Sequence, residues 1–138
     1  MKYWNAVYFL GVCFFAQSAL CDYAVIVHPS NNAHLDNTQV ERLFLSQIKA
    51  FTDGRKATPL NLHEDADARI AFQDKILKKT EEQLKAYWSR LIFTGKGVLV
   101  KQLNSAADVI EIVRKNPNAI GYVKSENVTA DVKVILTY

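Results

Sequence analysis

A chain of 138 residues is long enough to bury one hydrophobic core and too short for two. Its 17 basic and 14 acidic residues leave a net charge of +3, a balance that neither calls for nucleic acid nor marks an acidic tail. No low-complexity stretch, internal repeat or Pro/Ser-rich linker divides it.

The chain opens like an export signal. Lys2 supplies a positive start, residues 7–16 (VYFLGVCFFA) form an apolar run, and small and polar residues follow up to Cys21. That run is too short to span a bilayer comfortably and has no polar face for a buried amphipathic helix. Ala19-Leu20-Cys21 fits an A-x-A cleavage site, which makes residues 1–21 the signal peptide and 22–138 the mature domain; Ala16-Gln17-Ser18 is the alternative. Cys21 also invites a lipoprotein reading, against which Leu20 stands in place of a small residue. Cleavage after Cys21 removes Cys13 and Cys21, so the exported domain holds itself together by its core alone. No later apolar run is long enough for stable membrane insertion.

Residues 23–27 (YAVIV) are short, apolar and β-branched and read as a buried strand, running into the turn-forming loop His28-Pro29-Ser30-Asn31-Asn32. A helix starts near residues 36–38, where Thr38-Gln39-Val40-Glu41 has capping-box form, with Val40, Leu43 and Phe44 on its inner face. Asp53-Gly54 marks a tight turn, and residues 57–62 read as a strand that Pro59 makes late-starting or places at an edge. Residues 65–77 are helical in pattern, with Ile70, Phe72, Ile76 and Leu77 inward. The next helix is capped by Thr80 and Gln83, and Leu84, Tyr87, Trp88, Leu91 and Ile92 form a stripe that has to be buried. Thr94-Gly95-Lys96-Gly97 ends it. Ser105 opens a last helix facing inward through Val109, Ile112 and Val113, which Asn116-Pro117 stops; residues 119–123 and 132–136 are closing strands. Strands alternating with helices predict an α/β layer structure, and the long helical middle argues against a regular doubly wound sheet.

Chemistry-bearing patterns are few. His28, His34 and His63 have no metal-ligand spacing, so no metal is expected. Thr94-Gly95-Lys96-Gly97 lacks the order of a phosphate loop and follows a helix, where a glycine pair is usually a C-terminal cap; Lys96 remains able to touch an anion. Residues 63–69 (HEDADAR) lie between a strand and a helix, where an anion could sit, but Glu64, Asp65 and Asp67 occupy that turn themselves, leaving Arg69 as the residue that could tip the balance. No Ser-His-Asp or Cys-His set can be assembled, so no enzyme and no cofactor is expected.

The segments VIVHPSN (25–31), VERLFL (40–45), QLKAYW (83–88), FTGKG (93–97) and NPNAIGYV (116–123) come in this order. Together they resemble short, single-lobe members of the phosphate ABC transporter substrate-binding protein family, within the type 2 periplasmic binding protein superfamily. The resemblance implies an α/β fold, one lobe of that architecture, with a mixed sheet flanked by helices. Full-length members close two lobes over a phosphate held by backbone N–H groups, hydroxyls, an Asp and an Arg. Where that family places Arg and then Ser-Gly-Thr after its central strand, residues 63–72 carry acidic side chains, and Arg69 and Phe72 are what remains of the pattern.

Two functions follow as expectations. In the first, a periplasmic module binds phosphate or a related anion in uptake or sensing, at a mouth formed by Ser30, Asn31 and Asn32 with Arg69, Thr94 and Lys96 nearby. Ser and Asn donate neutral hydrogen bonds there, and Arg69 and Lys96 supply charge. In the second, the same lobe is a non-catalytic scaffold docking to an envelope transporter or receptor protein, which exposed Tyr87, Trp88 or Phe93 would favour.

Overall fold

The computed structural model describes residues 22–96 and 100–138. The expected signal peptide, its cleavage alternatives, Cys13, Cys21 and Gly97 lie outside the described residues.

Five strands form one mixed sheet in the order β3-β2-β4-β1-β5. The first, β1 (Tyr23–Val27), is the predicted one, with its last four residues buried. It lies antiparallel between β4 (Ala119–Lys124) and β5 (Lys133–Thr137). On the other side of β4, β2 (Thr58–Leu62) runs parallel to it, and β3 (Lys101–Leu103) runs parallel to β2. Pro59 is tolerated because β2 pairs with β4 through Thr58 and Pro59, whereas its ladder to β3 opens only at Leu60. The three-residue β3 carries too little pattern to be read from sequence.

Among the described residues, four α-helices flank the sheet. The first, α1 (Asn37–Phe44), is capped by Asp36 rather than Thr38: Asp36 accepts from the Gln39 N–H and Gln39 returns a side-chain oxygen to the Asp36 N–H. It ends on Ser46 in the left-handed region (φ 57°), with the Gln47 N–H bonded to the Arg42 carbonyl. Then α2 (Asp67–Phe72) widens into a π turn over Gln73–Leu77. Ala68, Arg69, Phe72, Gln73, Ile76 and Leu77 are buried there, so the inner face falls on either side of Ile70, which is 54% exposed and not inward as expected.

The Thr80–Gln83 capping box opens α3 (Glu81–Phe93) as predicted. Its stripe is not buried as a whole. Leu84 is in the core at 3% exposure, Tyr87, Trp88 and Leu91 are half-buried, and Ile92 and Phe93 stand 50% and 93% exposed. The helix leaves the core as it runs. Last, α4 (Ala106–Lys115) is capped by Ser105 and buries Val109 and Val113, with Ile112 half-buried.

The core lies where α1, α2 and α4 meet the sheet. Phe72 is at its centre, stacked on Tyr122 (4.1 Å between ring centroids, 5° between planes) and meeting Phe44 and Tyr138 edge-on.

Candidate functional site

Arg69 is the only buried cation among the described residues. It is placed by α2, which starts after the turn closed by the Ala66 N–H on the His63 carbonyl. Its Nη1 donates to the Leu62 carbonyl at the C-terminal end of β2 (2.9 Å), and Nη2 lies 3.6 Å from Glu81 Oε1 on the first turn of α3. Gln73 Nε2 donates to the other oxygen of that carboxylate. Nε of Arg69 is buried with no hydrogen-bond partner among the described residues. Next to it, the Tyr122 hydroxyl accepts from the Leu62 N–H (3.2 Å) and donates to Asn61 Oδ1. Burial pushes the Tyr122 phenol far above its ordinary value, so it is a permanent neutral donor at this edge.

The rim of this edge is acidic as well as basic. Asp67 pairs with Lys124 at 3.4 Å, His63 faces Asp65 at 3.4 Å, and Glu64 is exposed alongside. Each cation here already has a carboxylate neighbour. An incoming anion has to compete with Glu81 for Arg69, and the competition is strongest in an enclosed, water-poor setting.

The six residues expected to share one mouth are not brought together. Because β1 is antiparallel to β4 while β2 is parallel to it, the loop after β1 leaves at the sheet edge opposite the loop after β2. Ser30, Asn31 and Asn32 are therefore separated from Arg69 by the length of the five-residue β2, about 16 Å. Within that loop Ser30 Oγ lies 2.8 Å from His28 Nδ1, which also accepts from the Ser30 N–H. Asn31 is fully buried: its Oδ1 takes the Ala33 N–H, its carbonyl takes Lys133 Nζ, and its Nδ2 has no partner among the described residues. Asn32 is exposed.

Thr94 and Lys96 lie in a third place. Glu81 beside Arg69 begins the 13-residue α3 and Thr94 follows its end, about 20 Å along the axis. The Thr94 hydroxyl donates to the Arg90 and Leu91 carbonyls (3.0 and 3.1 Å), and Gly95 takes φ +72°, so this segment serves as the helix C-cap. Lys96 is exposed. The residues that surround Arg69 instead, Glu81, Gln73, Tyr122 and Asn61, could not be found from spacing: only tertiary packing joins α2 to the first turn of α3 and to β4. Among the described residues no group of three His, Cys, Asp or Glu could hold a metal ion, and no helix is long and apolar enough to cross a membrane.

This mixed five-stranded sheet with its flanking helices is a fold shared with part of several solved structures. Among solved structures, the fold matches a Clostridium perfringens protein assigned as a phosphate ABC transporter substrate-binding protein and holding bound phosphate (TM-score 0.66, 20% identity). It also matches an ABC-type phosphate transport receptor from Vibrio cholerae (0.65, 18%) and PstS from Borrelia burgdorferi (0.62, 14%). Each match covers 83% of this chain, which spans 44%, 45% and 46% of those chains in turn, less than half of each. No family model matches the sequence, and no curated protein matches it either.

Proposed function

We propose that residues 22–138 form a periplasmic solute-binding lobe that takes phosphate or a related anion in uptake or sensing, exported by the signal at residues 1–21. The observation that carries this reading is the fold, shared over 83% of the chain with three phosphate-transport proteins. Arg69 supports it as the charged contact: it is buried at the C-terminal end of β2 and keeps one N–H donor without a partner among the described residues. Ser30, Asn31, Asn32, Thr94 and Lys96 fall outside this proposed site. One lobe presents an open surface where each charge contact is worth about 0–1 kcal/mol, so tight binding needs a second lobe, from another copy or another chain, to exclude water.

Calorimetric titration of the exported chain with phosphate, at low and moderate salt, tests the reading. Saturable binding that weakens about two- to fivefold in Arg69→Gln supports it. Absence of both heat and thermal stabilisation at about 10 mM phosphate, across a range of protein concentrations, sinks it.

A second reading, a non-catalytic envelope protein that keeps the lobe as a docking scaffold, is favoured by one observation: the uncovered end of α3 at Ile92 and Phe93. Loss of partner binding in Ile92→Gln/Phe93→Gln, with phosphate binding absent from the parent, would decide for it.

A further inference from the structure

A different face of the molecule carries a groove of about 220 Å³ at the N-terminal end of β2. Its floor is apolar, with Leu43 from α1, Ile48 from the segment after it, and Pro59 of β2. Three exposed lysines also line it, each from a separate stretch of chain: Lys49, Lys56 and Lys101. The fold holds them there. The Ala57 N–H bonds the Lys49 carbonyl, Ala50 and Lys56 form an isolated antiparallel bridge, and Lys101 pairs with Leu60 in the β2–β3 ladder.

None of these lysines is ion-paired among the described residues, and no carboxylate lines the groove. Three unpaired positive charges at one groove equal the net charge of the entire 138-residue chain, +3. So large a local excess, in a chain otherwise close to balance, raises the local concentration of anions. The apolar floor adds a second requirement. A dry apolar cavity of about 150 Å³ accommodates benzene, so this groove has room for one ring or a branched aliphatic body carrying a short acidic arm.

We propose that this groove is a binding site for a small amphipathic anion, with an apolar body lying on Leu43, Ile48 and Pro59 and an acidic group reaching the three lysines. It is separate from the Arg69 edge, because Pro59 and Lys56 stand at the start of β2 and Leu62 at its end. The proposal does not depend on the phosphate reading.

Titration of the exported chain with phenylacetate, followed by backbone amide NMR shifts, tests it. Saturable shifts are expected at Ser46, Ile48, Lys49, Ala57 and Lys101, with about tenfold weaker binding in Lys49→Gln/Lys56→Gln/Lys101→Gln. Acetate and inorganic phosphate test charge without body, and phenylacetamide tests body without charge; each is expected to bind at least tenfold more weakly. The proposal is overturned by no saturable shift at about 10 mM phenylacetate, by equal binding of any control, or by undiminished binding in the triple variant. The lysines are exposed, so the variant's unchanged spectrum away from the groove serves as its folding control.

Discussion

Gly121 shows how one residue sets the spacing between a helix and the sheet. A Cβ placed there would stand 2.5 Å from Val109 Cγ1, inside the distance that any real contact reaches. Val109 is 1% exposed and its β-branched side chain has little rotamer freedom, so the clash cannot be relieved by a flexible tip. Gly121→Ala is expected to destabilise the fold by about 1–3 kcal/mol, read from the urea midpoint at unchanged slope. Trimming the neighbour in Gly121→Ala/Val109→Ala should recover part of that loss. One residue along, Tyr122→Phe keeps the ring stacked on Phe72 but leaves the Leu62 N–H without its acceptor. The expected cost is about 1–3 kcal/mol, because a buried donor is stranded and not merely weakened.

At the scale of elements, α1 and α3 are anchored very differently. The first buries Val40, Leu43 and Phe44 within eight residues, and its start depends on Asp36. Asp36→Ala removes the acceptor for the Gln39 N–H and is expected to cost about 1 kcal/mol in chemical denaturation. In contrast, the last turn of α3 leaves Ile92 and Phe93 exposed to water among the described residues. Substituting both by Gln should leave stability within about 0.5 kcal/mol, since no core contact is lost. A larger loss would show that this turn packs more firmly than its exposure indicates.

The whole molecule should lose stability in alkali. Burial raises the phenols of Tyr122 and Tyr138 well above their ordinary value of 10.0, by desolvation in both cases. Their protons are kept by the folded chain and released by the unfolded one, so the stabilisation is complete below about pH 10 and falls as pH rises beyond it. With both groups acting, the slope reaches about 2.7 kcal/mol per pH unit. Denaturant melts between pH 8 and 11 should show this fall, and Tyr122→Phe should halve its steepness.

The sequence alone determined most of the elements, because their signals are local. A short apolar run and β-branching mark residues 23–27, the Thr80 and Ser105 caps start two helices, and Gly95 stops one, all through contacts within a few positions. The order of five short segments pointed to the shared fold as well. The candidate site was only partly legible. Arg69 could be singled out as a cation at a strand-to-helix turn, but its partner Glu81 is twelve positions away on another helix. The direction of β1 decided the remainder. Strand direction relative to the sheet leaves no mark in a five-residue apolar run, yet it sent Ser30, Asn31 and Asn32 to the edge opposite Arg69. The apolar stripe of α3 was equally visible in sequence, but how far it is buried depends on where the neighbouring elements end. Periodicity reports which residues share a face; only the tertiary structure sets what that face meets.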